Sequence, residues 1–312
     1  MTSAGTGWPP AVFDAAGPYS EPVTTLAWVL LLGAGGVLAI VLAALWAALY
    51  GSAALKARLG GERSIWILGF GFPVIVLTGL LVWGLILTGS LSAARVDGSE
   101  MRVKIIGEMW WWRVHYQDAA GRETMRDANE LHIPVGTPVL LELEAADVIH
   151  SFWVPRLGGK MDMIPGRTNR LLIQADKPGI YKGQCAEYCG GPHALMGFVV
   201  VAHAADDFAR WKASRLPASG AGGRGLDIFL SSGCAACHTI RGTPANGLAG
   251  PDLTHVGARQ TLGAGILPNN PGTMAGWIAD AQAIKPGNRM PAYHQFGGDE
   301  LRAVSDYLVT LK

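Results

Sequence analysis

The sequence has few charged residues, few cysteines and no histidine before residue 115. Asp, Glu, Lys and Arg make up 16% of its 312 residues, whereas an average soluble domain has roughly 25%. Basic and acidic residues nearly balance, so no charge asymmetry points to nucleic acid or to a polyanionic surface. We therefore expect part of the chain to lie in lipid, and we expect no nucleic acid among its partners.

Two long runs, 23–50 and 65–94, contain no charged residue. Each exceeds the ~20 residues that a helix needs to cross a bilayer. A cleaved signal peptide is the alternative for the first run, but no basic segment precedes it, and its apolar core is longer than the ~7–15 residues of such peptides. The sequence therefore predicts a transmembrane helical hairpin over 23–95.

The loop between these runs carries Lys56, Arg58 and Arg63, whereas residues 1–22 carry no Lys or Arg. By the positive-inside rule the loop is cytoplasmic, so residues 1–22 and everything after Arg95 lie on the outer face. Neither run contains a histidine or an acidic or basic residue, so the chain offers no ligand for a metal or haem inside the bilayer. The helices are expected to be an anchor or a docking surface, and intramembrane chemistry must belong to another subunit.

From residue 101 to about 204, short runs of β-branched and aromatic residues alternate with turn signals. The strand-like runs are 103–107, 110–116, 131–134, 138–145, 169–175 and 197–203. Six or more short strands without a long helical period favour a β-sandwich or barrel. A small-residue, flexible stretch follows and is typical of a linker. We place the sandwich domain at 96–212 and the linker at 213–224.

Helical spacing brackets the last segment, 225–312, with Leu226, Phe229 and Leu230 at its start and leucines near its end. This segment is small for a domain unless something large helps to fill its core. A covalent cofactor would do so.

Within this segment Cys234, Cys237 and His238 form C-A-A-C-H, the attachment pattern for c-type haem. Thioethers fix the porphyrin, and the histidine binds iron. A disulfide or a redox C-x-x-C is the alternative, but the adjacent histidine and the absence of a βαβ pattern favour haem. The segment at 250–253 could turn the Pro251 carbonyl toward His238 and so orient its ring.

A second axial ligand for the haem iron is expected from Met290, which lies on a proline-bounded loop. A thioether opposite a histidine raises the potential for electron transfer. Met274 is less suitable because its stretch is typical of a helix start. His255 and His294 are alternatives, but both are better interpreted as exposed histidines.

The stretch KGQCAEYCGGPHALMGFVV brings Cys185, Cys189, His193 and Met196 together. Thiol, imidazole and thioether are ligands that proteins use for copper. A disulfide is conceivable in an oxidising compartment, and zinc competes for Cys and His but does not use methionine. His150, which follows a strand, could join this loop. A single blue-copper ion needs one cysteine, so two cysteines indicate that both thiolates bridge a copper pair.

Taken together, the chain resembles subunit II of haem–copper cytochrome c oxidase, in the bacterial form with a cytochrome c domain at its C-terminus. The resemblance covers nearly all of the chain. It rests on the two-helix anchor, GEMWWWRVHY, VIHSFWVPRLGGKMDMIPGR, the cysteine loop, C-A-A-C-H and KPGNRMP. It implies a multidomain membrane protein with a transmembrane hairpin, a cupredoxin-like β-sandwich and a small all-α class I cytochrome c domain at 225–312.

The resemblance also implies residue roles. The dinuclear CuA centre is bound by five side chains and one backbone carbonyl, those of His150, Cys185, Cys189, His193, Met196 and Glu187. The family also uses the side chain matching Glu187 at a magnesium site shared with subunit I. Trp110 matches the tryptophan that admits electrons to CuA, although Glu108 and Met109 stand where the family has His-Gln. Asp162 lies in a family segment near subunit I.

By the same resemblance, reduced cytochrome c or another donor supplies electrons to the haem, then to CuA and to subunit I, where oxygen is reduced and protons are pumped. Subunits I and III are the implied partners. The chain is expected in the bacterial inner membrane as a multi-pass protein, with its outer domains periplasmic. Two alternatives remain: the electron-accepting subunit of a copper-containing nitric oxide reductase, and a membrane-tethered electron carrier.

Overall fold

The computed structural model describes residues 11–92, 100–215 and 222–312. The chain divides into two compact units, one of them Glu21–Arg95 and the other Met1–Ser20 together with Val96–Lys312. Parts of the expected outer N-terminal segment and of the expected linker fall on 1–10 and 216–221, which lie outside the described residues.

The first unit is helical. Its elements are α1 (Glu21–Tyr50), α2 (Ala53–Leu59), α3 (Glu62–Ser64), a π-helical segment (Ile65–Gly71) and α4 (Phe72–Ser92). Two stretches, Glu21–Tyr50 and Glu62–Gly89, are long and apolar enough to cross a membrane. Pro73 lies just after the π-helical segment, where Phe72 N–H bonds to Ile67 O. The wider turn accommodates a proline, which cannot donate a backbone hydrogen bond and crowds the preceding turn.

The second unit contains a β-sandwich of two five-stranded sheets, ordered β3-β2-β1-β5-β8 and β4-β10-β9-β6-β7. The strands are β1 (Met101–Glu108), β2 (Trp111–Gln117), β3 (Glu123–Ala128), β4 (Glu130–Pro134), β5 (Val139–Ala145), β6 (His150–Trp153), β7 (Met161–Met163), β8 (Asn169–Ile173), β9 (Gly179–Cys185) and β10 (Gly197–His203). Trp112, Phe152 and Phe198 form its centre, with ring centroids 5.0 to 5.9 Å apart and edges meeting faces. Such pairs add stability beyond the buried area.

Helix α5 (Ala205–Ser214) follows the last sandwich strand and was not expected from the sequence. Its Trp211 stacks on His132, with ring centroids 4.2 Å apart, and also contacts Tyr116. The helix therefore belongs to the sandwich and extends into the start of the expected linker. Its apolar residues are too few for a long helical period, which is why the pattern alone did not reveal it.

The C-terminal segment consists of α6 (Arg224–Ser231), the hairpin β11 (Thr261–Leu262) and β12 (Leu267–Pro268), α7 (Pro271–Ala279), α8 (Ala281–Ile284) and α9 (Gly298–Thr310). Helices therefore bracket it, as predicted. Gly225 lets α6 approach α9, because an added Cβ would lie 2.3 Å from Ala303 O. Phe229, Val304 and Leu308 lie in the resulting core.

The sandwich and the C-terminal segment contact each other through buried charges. The guanidinium of Arg259 donates to the Asp127 carboxylate at 2.8 Å, with both side chains about 5% exposed or less. The Gln260 N–H donates to Glu130 Oε2 at 2.7 Å. The two domains expected from the sequence are therefore packed within one compact unit, while their expected boundaries stay predictions.

Candidate metal and haem sites

Strand pairing builds the cysteine loop. Cys185 ends β9, and its neighbour β6 begins at His150, with Phe152 opposite Cys185. The loop is closed by Cys185 N–H, which donates to Met196 O at 2.9 Å. Neighbouring strands of one sheet thus bring His150 to a loop that lies 35 residues later in the chain.

The five side chains expected at the copper site converge in the structure. Cys189 Sγ lies 3.8 Å from Cys185 Sγ, 3.5 Å from His193 Nδ1 and 3.8 Å from Met196 Sδ. Cys185 Sγ lies 3.9 Å from His150 Nδ1. Both cysteines are free and buried, and a disulfide would hold the sulfurs at about 2.05 Å. The structure therefore has two separate thiols here.

A carboxylate that sequence reasoning missed orients one imidazole. His150 Nε2 donates to Asp147 Oδ1 at 2.9 Å, which leaves Nδ1 facing the sulfurs. Burial alone would raise the pKa of Asp147, but the hydrogen bonds from His150 and from the Met109 and Val148 amides hold it below its usual value. A carboxylate three residues before a histidine that is expected to bind metal is a signal that could have revealed this partner.

The two thiols differ in pKa. The hydrogen bond from Cys189 lowers the pKa of Cys185 to about 4, helped by His150, and the same interaction raises the pKa of Cys189. The carbonyl of Glu187 lies 3.2 Å from Cys185 Sγ, whereas the residue itself is exposed. One thiolate thus forms readily, and a bound cation would release the second proton. Two thiolates, two imidazoles, a thioether and a carbonyl fit a pair of copper ions.

The three consecutive tryptophans differ in their packing. Trp110 precedes β2 and packs against the sandwich core, as does Trp112, while Trp111 lies outside that core. Trp110 Nε1 donates to Cys189 O at 2.8 Å. A Cβ added at Gly190 would lie 3.0 Å from the Trp110 ring. The indole therefore lies directly on the cysteine loop.

In the C-terminal segment the histidine of C-A-A-C-H is fixed by one hydrogen bond. His238 Nδ1 donates to Pro251 O at 2.8 Å, which leaves Nε2 free to bind iron. Burial lowers the pKa of His238, so the ring is neutral, as a ligand must be. A Cβ on Gly250 would lie 2.7 Å from the ring, so only glycine fits. Cys234 is buried and Cys237 exposed, and both are free. These residues fit a covalently attached haem.

Side-chain hydrogen bonds brace the Met290 loop. Met290 N–H donates to Asn288 Oδ1 at 2.8 Å, and Met290 O accepts from Gln282 Nε2 at 2.7 Å. Met290 packs against the core of its segment. Both side chains that brace the loop were missed because single amide side chains, Gln282 in α8 and Asn288 after it, carry no distinctive sequence pattern.

The other residues considered as haem ligands are engaged elsewhere. Met274 is buried within α7. His294 is exposed and pairs with Asp280 at 3.1 Å. His255, expected at the surface, is 3% exposed, so that expectation is wrong. Its Nδ1 donates to Lys312 O at 3.1 Å because the C-terminus folds back over it.

The sequence also matches known families. Residues 120–203 match the family profile "Cytochrome C oxidase subunit II, periplasmic domain", and residues 223–312 match "Cytochrome c". The "Cytochrome c oxidase subunit 2" of Alkalihalophilus pseudofirmus is 36% identical over 266 residues, which cover 82% of this chain and 75% of that protein. The chain belongs to the cytochrome c oxidase subunit 2 family.

Two further relatives are about 30% identical to the chain, over different shares of its length. The subunit 2 of Bacillus sp. strain PS3 is 30% identical over 276 residues, covering 82% of this chain and 76% of that protein. Among solved structures, the periplasmic domain of subunit II of cytochrome oxidase from Bradyrhizobium japonicum is 31% identical, with a TM-score of 0.36. The matched region covers 39% of this chain and 96% of that domain.

Membership in the cytochrome c oxidase subunit 2 family confirms the predicted fold class: two apolar helices, a cupredoxin-like β-sandwich and a cytochrome c domain. It also confirms that the chain is a subunit of a haem–copper oxidase, an oxidoreductase, and that it serves electron transfer together with subunit I. The periplasmic-domain profile and the apolar helices indicate a membrane-anchored subunit with its domains on the outer face.

Proposed function

We propose that this subunit receives electrons through a covalent haem c and delivers them through a dinuclear CuA centre to the oxygen-reducing site of subunit I, in a reaction coupled to proton translocation. The observation that carries the proposal is the convergence of two free thiols, two imidazoles and a thioether within 3.9 Å contacts. A C-A-A-C-H motif within the same compact unit supports it. Cytochrome c, or another donor, and subunit III are the proposed further partners.

The residues that would hold the copper pair are His150, Cys185, Cys189, His193, Met196 and, through its carbonyl, Glu187. Bound there, copper supplies a one-electron redox centre. The chain's own contribution is a preformed set of donors on two paired strands and the loop that follows them. The side chains of His150, Cys185, Cys189 and Met196 are buried and so shielded from water. Trp110 is the proposed point at which electrons reach the loop, because its indole bonds to Cys189 O.

On the haem side, Cys234 and Cys237 would form the thioether links, and His238 and Met290 would bind the iron. Pro251 holds the His238 ring in one orientation. The bracing of Met290 by neighbouring amide side chains presents its thioether without a conformational search. Haem supplies a second one-electron centre.

The arrangement along the chain is proposed as an outer segment 1–22, a two-span hairpin 23–95, a CuA domain 96–212, a linker 213–224 and a cytochrome c domain 225–312. The location is the bacterial inner membrane. The exposed side chain of Glu187 supports a role at a magnesium ion shared with subunit I. Asp162, which forms a loose ion pair with Lys160 at 3.8 Å, has no proposed role.

Metal and haem analysis of the purified oxidase tests the proposal. We expect two coppers and one covalent haem contributed by this chain. Cys185→Ser should abolish copper binding at this loop while the haem remains, and Met163→Leu, a buried methionine outside the loop, serves as the matched control. A disulfide between Cys185 and Cys189 in a copper-free oxidase, after loading under reducing conditions, would contradict the proposal.

A further inference from the structure

A buried lysine lies where the sandwich meets the C-terminal segment. Lys285 follows α8 and is 2% exposed. Its Nζ donates to Trp110 O at 2.7 Å and to Gly263 O at 3.0 Å. Both acceptors are neutral carbonyls, and among the described residues no carboxylate lies within ion-pair distance of this ammonium group.

Such a cation does not contribute to stability by itself. Burial lowers the pKa of Lys285 to about 7, against the attraction of the Cys189 sulfur. An unpaired buried charge is costly, and an apolar side chain of similar size is usually the more stable choice. The role of Lys285 is therefore sought in the two segments that its ammonium group connects.

One of these segments is the loop of the proposed haem ligand. Asn288 Nδ2 donates to Lys285 O at 2.8 Å, while its Oδ1 accepts from Met290 N–H at 2.8 Å. Gly287, between them, approaches the cysteine loop, since an added Cβ would lie 3.9 Å from the Pro192 ring. The backbone of Lys285 and Met290 therefore belong to one hydrogen-bonded turn, and this turn lies next to the cysteine loop.

The other segment is the surface of the copper loop. Trp110, whose carbonyl Lys285 binds, is hydrogen-bonded through its indole to Cys189 O. Gly263 begins the tip of the β11–β12 hairpin, where Ala264 O accepts from Gly197 N–H at 2.9 Å. Gly197 directly follows Met196 in the chain. Trp110 is therefore one hydrogen bond away from the proposed copper loop, and Gly263 is connected to it through Ala264 and Gly197.

We propose that Lys285 is a positioning residue for electron transfer between the two centres. Its ammonium group holds the Met290 turn, the Trp110 peptide and the hairpin tip in one arrangement. The inference rests on the proposed function. In catalysis, a displacement of 1 Å can cost up to roughly 10²-fold in rate, and electron transfer likewise weakens steeply with distance.

The test uses the purified, fully loaded oxidase. Lys285→Met removes the donors at similar volume, Lys285→Arg keeps charge and donors, and Lys177→Met, an exposed lysine, is the control. We expect Lys285→Met to slow haem-to-copper transfer, followed after a light-triggered electron injection, by about tenfold or more. We expect rescue to within about threefold by Lys285→Arg, with unchanged haem and copper spectra in every variant.

A second readout does not depend on turnover. Hydrogen–deuterium exchange should accelerate at the Gly197 amide in Lys285→Met and stay at the wild-type level in Lys285→Arg and Lys177→Met. If Lys285→Met does not assemble, Lys285→Gln, which is neutral and shorter, takes its place with the same expectation.

The outcomes separate the two proposals. A wild-type oxidase that carries no copper or no covalent haem on this chain would end the proposed function itself. A loaded wild type that transfers electrons, together with neutral variants that match it in transfer rate and in Gly197 exchange, would overturn only the role of Lys285.

Discussion

The proposed copper loop and the haem motif position their expected ligands in different ways. Around the proposed copper loop, five side chains are linked through the two cysteine sulfurs by contacts of 3.9 Å or less, because paired strands and a closed loop hold them together. In the haem motif, the cysteines share one short turn, His238 is held by a single backbone carbonyl, and Met290 lies on a separate loop. The sandwich preforms its proposed site with side chains in contact, whereas the proposed haem ligands are held one by one, through hydrogen bonds that do not connect them to each other. We therefore expect the sandwich to tolerate loss of its cofactor better than the C-terminal segment does.

The largest expected effect comes from Cys237→Ala. Cys237 is exposed, so the substitution removes a thioether link without opening a cavity. Only the Cys234 thioether can then form, so the amount of covalently attached haem should fall sharply, and the C-terminal segment should melt at lower temperature because so small a core depends on its cofactor. Haem staining after denaturing electrophoresis and copper analysis of the oxidase check this. Loss of copper alongside the haem would break the comparison, since the sandwich site is expected to remain loaded.

The next largest effect is expected from breaking the buried ion pair between the sandwich and the C-terminal segment. Arg259→Leu leaves the Asp127 carboxylate buried without its guanidinium, at a cost of roughly 3–5 kcal/mol. Denaturant unfolding followed by haem absorbance and by far-ultraviolet circular dichroism measures it. Adding Asp127→Asn should recover part of the loss. If Arg259→Leu has the same free energy of unfolding as the wild type, the buried pair does not couple the sandwich to the C-terminal segment.

A smaller effect separates the copper role of a methionine from its packing role. Met196→Leu and Met163→Leu both replace buried methionines by a side chain of similar volume, so each should cost less than about 1.5 kcal/mol. Only Met196→Leu should change the copper absorption spectrum, because only its sulfur lies against Cys189. Equal spectra in the two variants would remove Met196 from the ligand set.

The smallest effect concerns pH. Burial, together with the nearby charge of His132, lowers the pKa of His203 to about 4, against the attraction of Asp207. The unfolded chain therefore binds more protons between pH 4 and 6.5, and stability that is present above this range is lost as the pH falls through it. We expect a loss of about 1 kcal/mol, since the ring is only partly buried. His203→Gln should flatten the pH dependence of the melting temperature, and an unchanged slope would contradict the assignment.

The sequence predicted much of the fold and of the candidate sites. Six strands and the helices at both ends of the C-terminal segment were visible as periodic patterns. Strands β3, β6, β7 and β9 were missed. They are polar, only three or four residues long, or interrupted by glycine, so alternation was too weak to detect them.

Contacts between residues far apart in the chain were out of reach. Arg259 and Asp127 are 132 residues apart, and Lys285 and Trp110 are 175 apart. Each side chain looks like an ordinary surface charge or aromatic residue when read alone. Only the packing of the sandwich against the C-terminal segment brings them together, so no local pattern could have paired them.

By itself, the sequence determined the chemistry of this protein: soft ligands at short spacing on one loop, a haem-attachment motif, and two apolar runs, each a local property of side chains. The tertiary structure decided which groups orient those side chains and how the cysteine loop and the haem motif are packed within one compact unit. The reason is physical, since donor chemistry is carried by single residues, whereas orientation and burial arise only when distant segments pack and exclude water.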